Sequence, residues 1–203
     1  MTITISSGAT ITIMFPAKRP IAYSYFSDMR RLVDHLKHID LVYCEQDTAG
    51  AFRLYYHTVE LGTYHIHVYC DARLELSSNR RIMRIVPCQN LPPIETRVGL
   101  NSTTTRGFYS SEAHFHDAGD QTRIEYKLKM EAGAPRPKGL RFMPGRMVNA
   151  IAHNITTHRM QEIAENFVES SLAAFPGWLA QSDAAPVSQT STRGLSLSSG
   201  AGG

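Results

Sequence analysis

Apolar and polar residues alternate along ATITIMF (9–15), which places Ile11, Ile13 and Phe15 on one face and the threonines on the other. That period of two predicts a half-buried strand. Pro16 and Pro20 stop it and open a helical stretch, because proline is tolerated in a first turn. Over 21–38 the apolar residues Ile21, Tyr25, Phe26, Met29, Leu32, Val33 and Leu36 recur at helical spacing. Ser27 and Asp28 divide this stretch into two short helices, with one of the two capping the second.

From 42 to 132 the period returns to two. The clearest hairpin joins AFRLYYHTVE (51–60) to YHIHVYCDARLEL (64–76) around Gly62. A three-residue loop opposes Leu54 to Cys70, Tyr56 to Val68 and Thr58 to Ile66 on one face. The same register opposes Arg53 to Asp71, Tyr55 to Tyr69 and His57 to His67 on the other. A slip of one residue would invert every side chain, so one register that suits both faces is well specified. Ser78 and Asn79 turn the chain into a strand at 81–87 whose facing the pattern leaves open. A second hairpin pairs 108–115 with 121–130 across Asp117, Ala118, Gly119 and Asp120, turning Tyr109, Ser111, Ala113 and Phe115 inward with Ile124, Tyr126, Leu128 and Met130. On its outer side Glu112 meets Lys127. Pro92 and Pro93 argue against a central strand between the hairpins.

Three prolines and two glycines make 135–145 a linker to a long helix at 145–173, with Met147, Val148, Ile151, Ile155, Met160, Ile163, Phe167 and Leu172 as its apolar positions. The stripe drifts between the two halves of this helix, as it would if the helix bends along a curved sheet. Beyond Trp178 the composition falls to Ser, Thr, Ala and Gly. The expected organisation is an extension at 1–8, one domain at 9–180 and a disordered tail at 181–203.

Hydrophobic residues make up 42% and charged residues 19% of the 203-residue chain, a globular balance with enough length for a substantial core. No run approaches the roughly 18 apolar residues of a membrane span. The N-terminus lacks the basic start and continuous apolar stretch of a secretory signal, so the expected location is cytoplasmic, with no integral membrane segment. Cys44, Cys70 and Cys88 show no CxxC spacing, and Cys70 falls on an inward strand face as a small buried residue. A net charge of +3, with Arg30 and Arg31 and then Arg80 and Arg81 as isolated solvated pairs, gives no stripe for nucleic acid.

Two HxH pairs, His65 with His67 and His114 with His116, together with His57 opposite His67, raise a metal reading. All five take the parity of the outer face and have no carboxylate at ligand spacing in the first cluster, so no metal site and no cofactor are expected. The inner face is richer in placed polarity: Tyr56, Thr58, Tyr64, Tyr109, Ser111 and Tyr126 set hydroxyls among Leu54, Ile66, Val68, Ala113 and Leu128. Buried hydroxyls need partners, from the protein or from a ligand. Arg159 sits on the apolar side of the last helix, where it either reaches to the rim or turns its guanidinium into the cavity. No GxSxG, no P-loop and no inward carboxylate pair is expected, Asp28 being read as a cap and Asp71 as the partner of Arg53, so no catalytic residue is assigned.

The stretch FPAKRPIAYSYFSDMRRLVDHLKHID resembles the START-like, helix-grip superfamily of pollen allergens and polyketide cyclases. In that family a first strand ends in a proline-containing turn, two short helices follow across a Ser-Asp or similar break, and an arched meander comes next. Pro16, Pro20, Phe26, Ser27, Asp28 and Leu32 stand at the matching places. The strand GTYHIHVYCDARLEL and the helix IAHNITTHRMQEIAENF are similar to an uncharacterised branch common in cyanobacteria and plastids. The resemblance implies an α+β helix-grip fold, an arched antiparallel sheet of about seven strands around the long C-terminal helix. Since the fold hosts many chemistries, function must come from the site. The leading expectation is a binder of an apolar small molecule (lipid, isoprenoid or pigment-like), held by Tyr56, Thr58, Tyr64, Tyr109, Ser111, Tyr126 and Arg159. A cyclase- or dehydratase-like enzyme using the same cavity and a ligand-free scaffold or assembly factor are the alternatives, and no protein partner is specified.

Overall fold

Strand β1 (Thr2–Phe15) pairs antiparallel with β8 (Gln121–Pro135) without interruption from Thr2 opposite Pro135 to Phe15 opposite Thr122. Residues 2–8, expected as an extension, therefore belong to the sheet, and Ile3, Ile5 and Ser7 continue the odd-numbered inner face of Ile13 and Phe15. Gly8 does not break the strand because it is needed there: a Cβ at this position would stand 2.9 Å from the Leu128 carbonyl oxygen. The computed structural model describes residues 2–44, 50–60, 62–136, 138–140 and 142–184.

Helices α1 (Arg19–Phe26) and α2 (Met29–Asp34) fill the positions expected for the two short helices. Asp28 is the cap, its Oδ1 accepting from the backbone N–H of Arg30 at 2.9 Å, while Ser27 donates its hydroxyl back to the Tyr23 carbonyl. The strands β2 (Ile39–Cys44), β3 (Ala51–Glu60), β4 (Tyr64–Ser77), β5 (Ile82–Pro87), β6 (Arg97–Val98) and β7 (Ser102–Ala118) complete one sheet. Its order is β1-β8-β7-β5-β4-β3-β2, with β6 beside β7.

The β3–β4 hairpin holds the expected register on both faces, from Arg53 opposite Asp71 to Thr58 opposite Ile66. In the second hairpin β7 and β8 run on to Ala118 and Gln121, and Gly119 takes the left-handed φ of 79° that lets the chain reverse. Glu112 does oppose Lys127, but its carboxylate goes to Arg84 and His114. Met83 and Ile85 settle the facing of β5 inward.

β7 begins at Ser102, before the expected start at 108, and alternates buried and open positions through to Phe115. Its first part pairs parallel with β4 and its second part antiparallel with β5, so the otherwise antiparallel sheet curls upon itself. Gly107 lies where β4 and β7 come together, and a Cβ there would meet the Val68 Cγ1 at 2.7 Å. Among the described residues eight strands result, against about seven expected, the additional one being the two-residue β6.

Helix α3 (Gly145–Ala184) lies across the inner face and runs past the expected end at 173, with Pro176 inside it. Residues 181–184 are thus helical, and the remainder of the expected tail lies outside the described residues. The longer helix brings Phe175 and Trp178 to the rings of β1 and α1: Phe15 to Phe175 is 4.6 Å between centroids, Tyr25 to Phe175 5.3 Å and Tyr25 to Trp178 5.1 Å. Two arginines read as solvated take part as well, Arg31 lying over Tyr25 and Trp178 and Arg81 over Tyr23. Among the described residues no helix is long and apolar enough to cross a membrane.

Candidate functional site

Between α3 and the sheet the packing opens into two adjoining chambers. The inner one, about 70 Å³, is walled by Leu54, Val68 and Leu128 from the sheet and by Ile163 and Phe167 from the helix. The outer one, about 270 Å³, lies beneath the first turns of α3 at Val148, Ile151 and Ala152, and reaches the linker at Gly139 and Leu140. Ile5, Ile66, Val68, Ala132 and Ile155 line both. The strands deliver these side chains because alternate residues of a strand share a face. A void of this size, apolar on nearly every side and opening at one end, is the form that small-molecule sites take.

Four of the seven expected site residues meet in the inner chamber: Tyr56, Tyr109, Tyr126 and Arg159. Tyr64 lines the outer chamber and hydrogen-bonds Thr103. Thr58 and Ser111 stand behind the walls and hold other side chains. Tyr126 donates to the Ser111 Oγ at 3.0 Å, so the Tyr109 hydroxyl, 3.0 Å from that of Tyr126, is the donor of the second bond. Burial raises the Tyr109 phenol well above its ordinary value and raises that of Tyr126. Tyr56 is pushed up to about 12 by burial and then by the Glu60 carboxylate. All three phenols stay protonated at neutral pH and act as hydrogen-bonding groups, not as bases. The Cys70 thiol on the same wall is likewise pushed up to about 12 by burial, so it packs as a small neutral group.

Arg159 reaches to the rim, where it has partners that the sequence reading did not name. Its Nε donates to Glu60 Oε1 at 2.8 Å and its Nη1 to Glu162 Oε2 at 2.5 Å. Thr58 also donates to Glu60, at 3.0 Å, and Lys37 donates to Glu162 at 2.5 Å. Charges alternate along Lys37, Glu162, Arg159 and Glu60, tying α3 to the end of β3 and to the chain after α2. Glu60 was legible: it shares the even parity of Leu54, Tyr56 and Thr58, and it is a buried carboxylate that lines the outer chamber. Thr103 and Thr105, also missed, extend the odd-numbered inner face of β7 toward its start.

Asp71, read as the partner of Arg53, binds it through Nε at 2.5 Å and also takes Arg106 at 3.3 Å. The histidines on the outer parity lie away from the chambers. His67 Nδ1 is 2.6 Å from the Tyr55 hydroxyl, His57 stacks on Tyr55, and His65 stacks on His67. His114 bonds Glu112, and His116 lies 3.7 Å from Glu125. Each HxH pair thus faces neighbours on the sheet surface.

The element order and the single long helix held across the curved sheet define a helix-grip domain with a cavity under the helix. No protein-family model and no curated protein matches the chain. Among solved structures it is similar to a protein from Thermus thermophilus, at 17% identity over 83% of this chain and 98% of that one, with a TM-score of 0.49. It is also similar to the Zhui aromatase/cyclase from Streptomyces, at 13% identity over 87% and 94% of the two chains (TM-score 0.46). A norcoclaurine synthase from Thalictrum shares 12% identity over 84% and 96%, with a TM-score of 0.42.

Proposed function

We propose that this protein binds an apolar small molecule, such as a lipid, isoprenoid or pigment-like compound, in the paired chambers beneath α3. The observation that carries this reading is a mostly apolar void with a bonded hydroxyl set, Tyr109, Tyr126 and Ser111, at its inner end. The inner chamber suits a ring or a hydroxyl- or carbonyl-bearing end, and the roomier outer chamber suits the apolar remainder. Nothing in this needs a chemical step. A cyclase- or dehydratase-like reading would require a proton carrier at the wall, and Glu60, the carboxylate that lines the outer chamber, already accepts from Arg159 and Thr58.

The test is native mass spectrometry of protein purified from its source, followed by organic extraction. A bound small molecule is expected in the unaltered protein and not in Ala132→Leu, which extends a wall shared by both chambers into the void. Because that substitution fills space, its melting temperature should stay within the equivalent of about 1 kcal/mol. No co-purifying molecule in repeated preparations, or equal retention by a correctly folded Ala132→Leu, would sink the reading.

A further inference from the structure

Among the described residues, the three most exposed large apolar side chains all lie on segments that rim the outer chamber. Phe142 is 90% exposed, Leu100 71% and Met147 51%. Leu100 lines the chamber from the turn before β7, Phe142 follows the lining residue Leu140, and Met147 precedes the lining residue Val148 in the first turn of α3. Arg136 shapes the linker by donating to the carbonyls of Leu140 and Met143. The linker and the first turns of α3 supply this rim with charge of one sign, the Glu60 carboxylate being engaged by Arg159. From 132 to 161 the chain has no acidic residue and carries Arg136, Lys138, Arg141, Arg146 and Arg159. Lys138 and Arg146 are exposed and form no ion pair among the described residues, whereas Arg159 is engaged by Glu60 and Glu162.

Exposed apolar side chains interleaved with unneutralised cations match a membrane surface, where rings and thioethers enter the acyl boundary and cations face lipid phosphates. An acidic protein face would satisfy the cations but would leave three large apolar residues without a purpose. We infer that the rim formed by Leu100, Phe142 and Met147 with Lys138 and Arg146 docks on an anionic lipid bilayer and brings the mouth of the cavity against it. The direction of ligand passage rests on the proposed function. Docking does not, because it is read with vesicles that contain no other ligand.

The experiment is flotation of the full chain with phosphatidylcholine vesicles, alone or with phosphatidylglycerol at two to one. Binding to the anionic vesicles is expected, weakening as salt is raised. Phe142→Ser combined with Met147→Ser should lower bound protein at least as much as Lys138→Glu with Arg146→Glu, for which each lost cation alone weakens binding about fivefold. Neither pair lines a chamber, so retained ligand and melting temperature should be unchanged, and a variant that lost either would be replaced by Phe142→Ser alone. Absence of binding to anionic vesicles overturns the inference. So does binding that follows charge but ignores Phe142 and Met147, which would mark an acidic protein face instead. If docking fails while the co-purifying ligand persists, the docking inference falls alone. If vesicles are bound and no ligand is found, the cavity reading falls alone.

Discussion

The two ends of α3 cover one sheet face and meet it in opposite ways. At the C-terminal end Phe167 and Phe175 interlock with Phe15, Tyr25 and Phe26, with ring centroids 4.6 to 5.8 Å apart, and Phe15, Tyr25, Phe26 and Phe175 line neither chamber. At the N-terminal end Ile151, Ala152 and Ile155 look across open space to Ile5, Ile66 and Ala132. Aromatic side chains from both surfaces are long enough to meet at the helix-to-sheet distance, while Ile and Ala are not. The closed end anchors the helix and so holds open the volume at the other.

The largest effect should come from removing the anchor. Phe15→Ala, at a fully buried position, is expected to cost about 3 to 5 kcal/mol, whereas Ile155→Ala, already facing a void, should cost about 1 kcal/mol. Urea denaturation of both compares the ends directly, and equal losses would break the contrast. Next in size is Arg159→Leu, which leaves the buried Glu60 carboxylate without its cation. A loss of about 2 kcal/mol is expected, with most of it restored when Glu60→Gln is added. A neutral Arg159→Leu would show the rim clamp to be ornamental.

Smaller again is Tyr126→Phe. It preserves ring volume but strips Ser111 of its donor and Tyr109 of its acceptor, for about 1 kcal/mol in stability. Ligand retention should fall with it, and retention equal to that of the unaltered protein would remove this hydroxyl from the site.

The smallest expected effect is a pH dependence at the closed end. His35 accepts at Nδ1 from Ser170 at 3.0 Å and donates at Nε2 to Tyr25 at 2.9 Å, because Tyr25 itself donates to the Ser171 carbonyl. Burial lowers its pKa below the ordinary 6.5. The unfolded chain then binds the proton more readily, so the contribution of His35 is whole above pH 6.5 and is lost as pH falls through the lowered folded value. His38 and His67 shift in the same direction, so the measurement is the difference between urea midpoints at pH 8 and pH 5 with and without His35→Gln. A pH response unchanged by His35→Gln would assign the effect elsewhere.

Much of this architecture was legible along the chain, and for local reasons. The Leu54 to Cys70 register follows from a short turn and a period of two, and Asp28 as a cap follows from its place before an apolar helical run. Local pattern failed where distant residues supplied the reason. Residues 1–8 read as an extension, yet β1 starts at Thr2 and β8 leaves no room for a Cβ at residue 8. The last helix reads as ending at 173, yet it runs on because Phe175 and Trp178 are held by rings from β1 and α1.

The sequence by itself determined which face of the two hairpins is buried, because parity is a property of the backbone, and with it the set of hydroxyls on the inner face. The tertiary structure alone decided that the inner face encloses a void at one end and a filled core at the other. It also decided that the Arg159 guanidinium, at the chamber's edge, is engaged by Glu60 and Glu162. Volume and charge pairing depend on distances between segments far apart in the chain, set by whichever side chains are long enough to meet.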